Sequence, residues 1–137
     1  MLTVSKAARS AWIMPLSLVE LQAVFSAMLD ASDASGACVD LVLLDDAGME
    51  LLHAQSLECV GPTNILAFSD PSHRSLGSLA LSVDTLEREC FLYGQELLEH
   101  CVRLLAHGLA HLLGHDHGPA MDALAERMEH AALDVCS

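Results

Sequence analysis

Residues 107–117 read HGLAHLLGHDH and place four of the chain's eight histidines within eleven positions. Imidazole is the commonest metal ligand in proteins, so the spacing decides whether these rings can share an ion. On a helix, residues four apart lie on one face a turn apart, which lets His107 and His111 offer nitrogens to a common point. The chain must then fold back to add a third ligand. Gly114 suits that reversal, because helix C-termini commonly end on a left-handed residue that glycine adopts without steric cost. His117, six residues past His111, would then arrive from the loop. Three neutral imidazoles with an open position describe a zinc site of catalytic type, where bound water is acidified towards neutral pH, whereas a closed structural site would add a fourth protein ligand.

The ligands and the turn glycine match the H-E-x-x-H-x-x-G-x-x-H frame of the metzincin proteases, but position 108 is Gly where those enzymes carry their general base. The ligand spacing survives and the peptide-hydrolysis chemistry does not. His115 competes as third ligand, four residues beyond His111 across the glycine turn, and the frame favours His117. Asp116 is a candidate to orient an imidazole or to take a proton from bound water, with a loop cap as its alternative. His100 shares the helical face but lies two turns away, roughly 10 Å, too far to reach the same ion, and reads as a structural or second-layer polar group. The set implies one zinc ion per chain, while nickel, cobalt and copper also suit three imidazoles.

These side chains need a scaffold. After Pro15, Leu18, Leu21, Val24, Phe25, Met28 and Leu29 recur at three- and four-residue spacing and predict a helix; Gln95–Leu113 predicts the strongest one, stopped by Gly114. Gly118-Pro119 introduces a last helix with Met121, Leu124, Ala125, Met128, Ala131 and Ala132 on one face. ACVDLVLLDD, NILAF and LGSLALSV read as β-type runs, MELLHAQSL as a short helix, and DTLERECFLY as a helix capped by Asp84, with LTVSK as a weaker first strand. The expected fold is one small α+β domain over residues 1–137: a mixed sheet of about four strands, helices around it, and the metal site on a central helix and the loop after it.

Composition narrows the function. Nineteen acidic against six basic residues give a net charge of −13, which repels phosphate backbones at long range, so a polyanion must be captured locally. No apolar run reaches the roughly 18 residues of a membrane span. No secretory signal is evident, and the expected location is the cytoplasm. Five cysteines without a C-x-x-C pair argue against a disulfide framework; most read as small core residues, with Cys136 at a fraying end.

His107, Gly108, His111, Leu112, Gly114, Asp116 and His117 together resemble the H-G-x-x-H-L-x-G-x-D-H signature of the YbeY family of bacterial rRNA maturation factors, metal-dependent endoribonucleases that cut single-stranded RNA. PTNILAF at 62–68 is similar to that family's P-T-[DN]-V-L-S-F strand, LGSLALS at 76–82 to its L-G-D-I-x-I-S strand, and Met128 to its M-x-x-x-E segment. The resemblance implies zinc on His107, His111 and His117, and places Thr63 and Asn64 beside the active cleft. It also exposes departures: Leu57 stands where the family usually has an arginine, with His53 and Ser56 at the neighbouring aligned positions, and Ser78, Ala67 and His115 replace the usual aspartate, serine and tyrosine. A phosphodiester cleaver needs charge to offset that developing on the phosphoryl oxygens. His53, His73 and Arg74 are the candidates, each with a solvated surface group as its alternative.

Two functions follow from the resemblance. One is a zinc-dependent, single-strand-specific endoribonuclease for maturation of the 3′ end of 16S rRNA and ribosome quality control, with single-stranded RNA, ribosomal RNA or the small ribosomal subunit as partner. The other is a metal-binding ribosome-assembly factor with little nuclease activity, docking on a ribosomal protein or assembly factor; Leu57 and the charge favour it. A metallohydrolase of peptides or other esters shares the ligand frame alone.

Overall fold

The computed structural model describes residues 2–6, 15–55, 64–116 and 118–136, with backbone alone at 5, 6 and 53–55. His117, Thr63, Leu57, Ser56, Cys59 and the His53 side chain lie outside the described residues.

The chain runs β1 (Leu2–Lys6), α1 (Leu18–Ala31), β2 (Val39–Leu44), α2 (Asp46–Gln55), β3 (Ile65–Ser69), β4 (Gly77–Ser82), α3 (Val83–Tyr93), α4 (Leu97–Leu112) and α5 (Pro119–Cys136). The strands form one sheet in the order β1-β2-β4-β3, with β1, β2 and β4 parallel and β3 antiparallel to β4. This is the α+β architecture with a four-stranded mixed sheet that the sequence predicts. Leu41 pairs with Val4 on one side and Leu79 on the other, so apolar rows cross the sheet. Both faces are covered, which is why VDLVLL is nearly continuous in apolar residues.

The larger core joins Val39, Leu41, Leu43, Leu79 and Leu81 to α1, α4 and α5. On the opposite face a smaller cluster joins Leu44, Ala80 and Met49, flanked by Val42, Leu52, Leu66 and Phe68. Helix α4 is buried almost all round, through Cys101, Val102, Leu105, Ala106, Leu109 and Ala110. An interior helix can be apolar on every side, and that is the background against which the histidines stand out. Pro119 opens α5, whose buried face of Met121, Leu124, Ala125, Met128 and Ala132 follows the expected stripe.

Two boundaries differ from expectation. Ser82, not Asp84, caps α3: its side chain accepts from the Thr85 amide at 3.1 Å, so Val83 begins the helix rather than extending β4. Asp84 sits in the first turn and accepts instead from the Asp46 amide at 2.9 Å. Helix α2 begins at Asp46, three residues before the MELLHAQSL run predicted as a helix, with Asp45 accepting from the Gly48 amide at 2.8 Å. Of the four described cysteines, all free thiols, Cys101 alone is fully buried and Cys38 is exposed. Cys136 is half-buried against the main core and closes α5 rather than fraying. Among the described residues, no helix is long and apolar enough to cross a membrane.

Candidate metal centre

His107 and His111 are half-buried on α4, one turn apart. The His107 ring places Nδ1 2.9 Å from the carbonyl oxygen of Arg103. A carbonyl only accepts, so Nδ1 carries the proton and Nε2 carries the lone pair. This main-chain bond sets the tautomer and ring orientation that a metal-ligating histidine needs.

Gly108, between the two histidines, is where α4 comes closest to the sheet. A Cβ there would lie 2.9 Å from both Ile65 Cδ1 and Leu79 Cδ2. The glycine therefore lets the helix settle onto β3 and β4, and it carries the ligand face with it.

The last turn of α4 closes as a Schellman motif. The Gly114 amide donates to the His111 carbonyl at 3.0 Å and the His115 amide to the Ala110 carbonyl at 3.1 Å, with Gly114 left-handed at φ 90°. Gly114 thus ends the helix as its spacing predicts, turning the chain three residues past the second histidine. His115 is half-buried and Asp116 exposed. Among the described residues no three His, Cys, Asp or Glu side chains are grouped to hold an ion, so neither His115 nor Asp116 completes a set with His107 and His111. The donor chemistry, two imidazoles of which one is held with Nε2 as its donor, fits a zinc-like ion that takes a third ligand from the following loop.

The other sequence candidates are spread over several elements. Asn64 is half-buried at the head of β3, one residue before Ile65. Arg74 and His73 are exposed in the loop between β3 and β4, His73 with φ 59°. Asp70 braces that loop, accepting from the Ser72 amide and hydroxyl at 2.9 and 2.8 Å and from the Ser75 amide at 3.0 Å. Hydrogen bonds from Ser72, then from Ser75, hold its carboxyl down at about 2. A Cβ on Gly77, the first residue after the loop, would lie 3.0 Å from Leu112 Cδ2, so the loop springs from the sheet beside the last turn of α4. His53 belongs to α2, whose Met49 and Leu52 pack on the sheet face opposite α4.

Sequence reasoning missed Glu89. It joins Asn64 and His100 in a polar cluster whose members lie 25 and 11 residues from it along the chain. No local pattern ties three such positions together. The one available signal was an ionisable residue, His100, on a helix apolar enough to bury it.

A family model described as endoribonuclease YbeY matches residues 12–136. The chain belongs to the YbeY family. A relative named endoribonuclease YbeY in Nitratidesulfovibrio vulgaris is 44% identical, covering 96% of this chain and 94% of its own. A YbeY-family protein of the same name from Oleidesulfovibrio alaskensis is 40% identical over 86% and 84% of the two chains. A third, from Lawsonia intracellularis, is 34% identical over 85% and 86%. The solution structure of TM1509 from Thermotoga maritima has a TM-score of 0.72 at 14% identity, covering 99% of this chain and 91% of that one; the likeness is one of fold.

Proposed function

We propose that this YbeY-family chain is a single-domain, zinc-dependent endoribonuclease of the cytoplasm that cuts single-stranded RNA in maturation of the 3′ end of 16S rRNA and in ribosome quality control. The observation that carries the reading is the His107 ring, held by the Arg103 carbonyl with Nε2 as donor, in a chain whose relatives are named endoribonucleases. His107, His111 and His117 would hold one zinc ion, which when bound supplies a Lewis acid and a nucleophile at neutral pH. Asp116, exposed and next to His117 in the sequence, would orient a ligand or accept a proton. Asn64, at the head of β3, and Thr63 before it in the sequence would contact the substrate. Arg74 on its braced loop would supply positive charge that Leu57 does not; His53, the other candidate, belongs to α2 on the opposite face of the sheet. A net charge of −13 makes such local capture of phosphate necessary.

A second reading has its own support. Leu57 in the arginine position and the strong acidity favour a metal-binding assembly factor that docks on a basic ribosomal protein.

The test is zinc content and cleavage of a single-stranded oligoribonucleotide, measured on nuclease-free wild type and on His111→Ala. The nuclease reading expects one zinc per chain and cleavage, both lost in the variant. Activity should fall more than about a hundredfold, since even outer partners of a ligand histidine are worth ten- to a hundredfold. Stoichiometric zinc without cleavage supports the assembly factor. A wild type that binds no divalent metal overturns both.

A further inference from the structure

Helices α3 and α4 meet the head of β3 at a cluster that the metal chemistry leaves unused. The Glu89 carboxylate accepts from Asn64 Nδ2 at 3.2 and 3.4 Å and from His100 Nε2 at 3.1 Å. The His100 and Glu89 side chains keep only 11% and 19% of their exposure, and among the described residues His100 Nδ1 is buried with no hydrogen-bond partner. Because the carboxylate only accepts, His100 carries its proton on Nε2 and leaves a bare lone pair on Nδ1. An unpaired buried nitrogen costs stability. What is gained is a single geometry at Asn64.

Both ends of the Asn64 amide are committed. Its Oδ1 accepts from the Ile65 amide at 2.7 Å, while its main-chain carbonyl accepts from Ser82 at 2.9 Å. Turning the amide over would set oxygen against carboxylate and N–H against N–H, so one orientation remains. Ile65, the next residue, is the side chain that fills the space over Gly108, between the two histidines.

We propose that Glu89 and His100 are positioning residues. Together they lock the Asn64 amide and so fix the head of β3 against the ligand-bearing face of α4. The proposal rests on reading that face as the site of RNA cleavage. It changes the part assigned to Asn64: its amide is spent on protein partners, and it serves the site by holding Ile65, the first residue of β3, against Gly108.

A polarity swap tests this. Asn64→Asp sets two carboxylates face to face. Adding Glu89→Gln restores complementary pairs in reversed sense, since the new amide donates to position 64 while its oxygen still accepts from His100. The full-length zinc-loaded chains are compared by Ile65 amide exchange, His100 ring tautomer from ¹⁵N NMR, zinc per chain, and KM and kcat on a single-stranded oligoribonucleotide. Asn64→Asp is expected to speed Ile65 exchange and raise KM by about tenfold with zinc retained, and the double variant to recover both to within about threefold. A double variant no better than Asn64→Asp, or Asn64→Asp indistinguishable from wild type, overturns the proposal. If Asn64→Asp does not fold, Glu89→Gln alone decides. Oε1 faces both partners at 3.2 and 3.1 Å, so the new amide keeps both only by setting its N–H against Asn64 Nδ2 where the second oxygen lies at 3.4 Å; Ile65 exchange is expected to rise or the His100 tautomer to change, and neither changing overturns the proposal. Exchange that responds and is rescued, in a protein that cuts no RNA even as wild type, upholds the clamp and removes the nuclease reading.

Discussion

Gly108 answers at the residue scale a question that the motif leaves open, namely why the ligand frame of a protease lacks the protease's base. A glutamate there would aim its carboxylate into Ile65 and Leu79, both packed into the core side of the sheet. The exclusion is steric, built into the way α4 lies on β3 and β4. Gly108→Ala should lose about 1 kcal/mol, as one methyl's overpacking of about 1–3 kcal/mol outweighs a helix-propensity gain of about 1 kcal/mol. Gly108→Glu should lose more than about 3 kcal/mol, because it buries an unpaired charge. Urea unfolding measures both, and a Gly108→Glu variant as stable as wild type refutes the packing argument. The ligand residues themselves are legible in the sequence because four-residue spacing maps directly onto a helix face. The His107 tautomer is not, since its acceptor is a backbone carbonyl that every helix offers. Glu89 is invisible for a different reason: its partners come from two other elements.

Among the elements, the turn after α4 carries the most for the site. Two main-chain bonds and a left-handed Gly114, one residue after the C-cap Leu113, end the helix at Leu112. Among the described residues no atom crowds the missing side chain, so the penalty for substitution there is conformational. Gly114→Ala should cost about 1 kcal/mol in stability, and it should also weaken zinc binding about tenfold as the loop is redirected. Competition with a chelator measures the second effect; loss of stability with unchanged zinc affinity would detach the turn from the metal. The helices α1, α4 and α5 are readable because their apolar residues recur at the helical period over three turns or more. The start of α3 is not, because Ser82 ends a strand and caps a helix at once, and the serine next to a plausible aspartate cap gives no local sign of which one folds into the role. β1 was the weakest strand to read. It is an edge strand of five residues, held in place by pairing with Val39–Leu43, which lies more than thirty residues on.

The whole molecule is organised as an uneven pair of layers about the sheet, with α1, α4 and α5 over the large core and α2 over a small one. Cys101 reports on the large core. Burial, reinforced by Cys90 and Cys136, pushes its thiol from 9.0 up to about 12. Between those values the folded chain keeps a proton that the unfolded chain releases. Stability is therefore full below pH 9.0 and falls by about 1.4 kcal/mol per pH unit as pH rises towards 12. Unfolding at a series of alkaline pH values should show that slope in wild type and a shallower one in Cys101→Ala; equal slopes would place the alkaline limb elsewhere. The small core has a different consequence. Among the described residues, three buried and four flanking ones join α2 to the sheet, whereas α4 is enclosed on nearly every side, so local opening should cost less at α2 than at α4. The head of β3 is held by a carboxylate rather than by that thin apolar layer. Opening of α2 on its side of the sheet should therefore leave Asn64, and the histidines on the other side, in place.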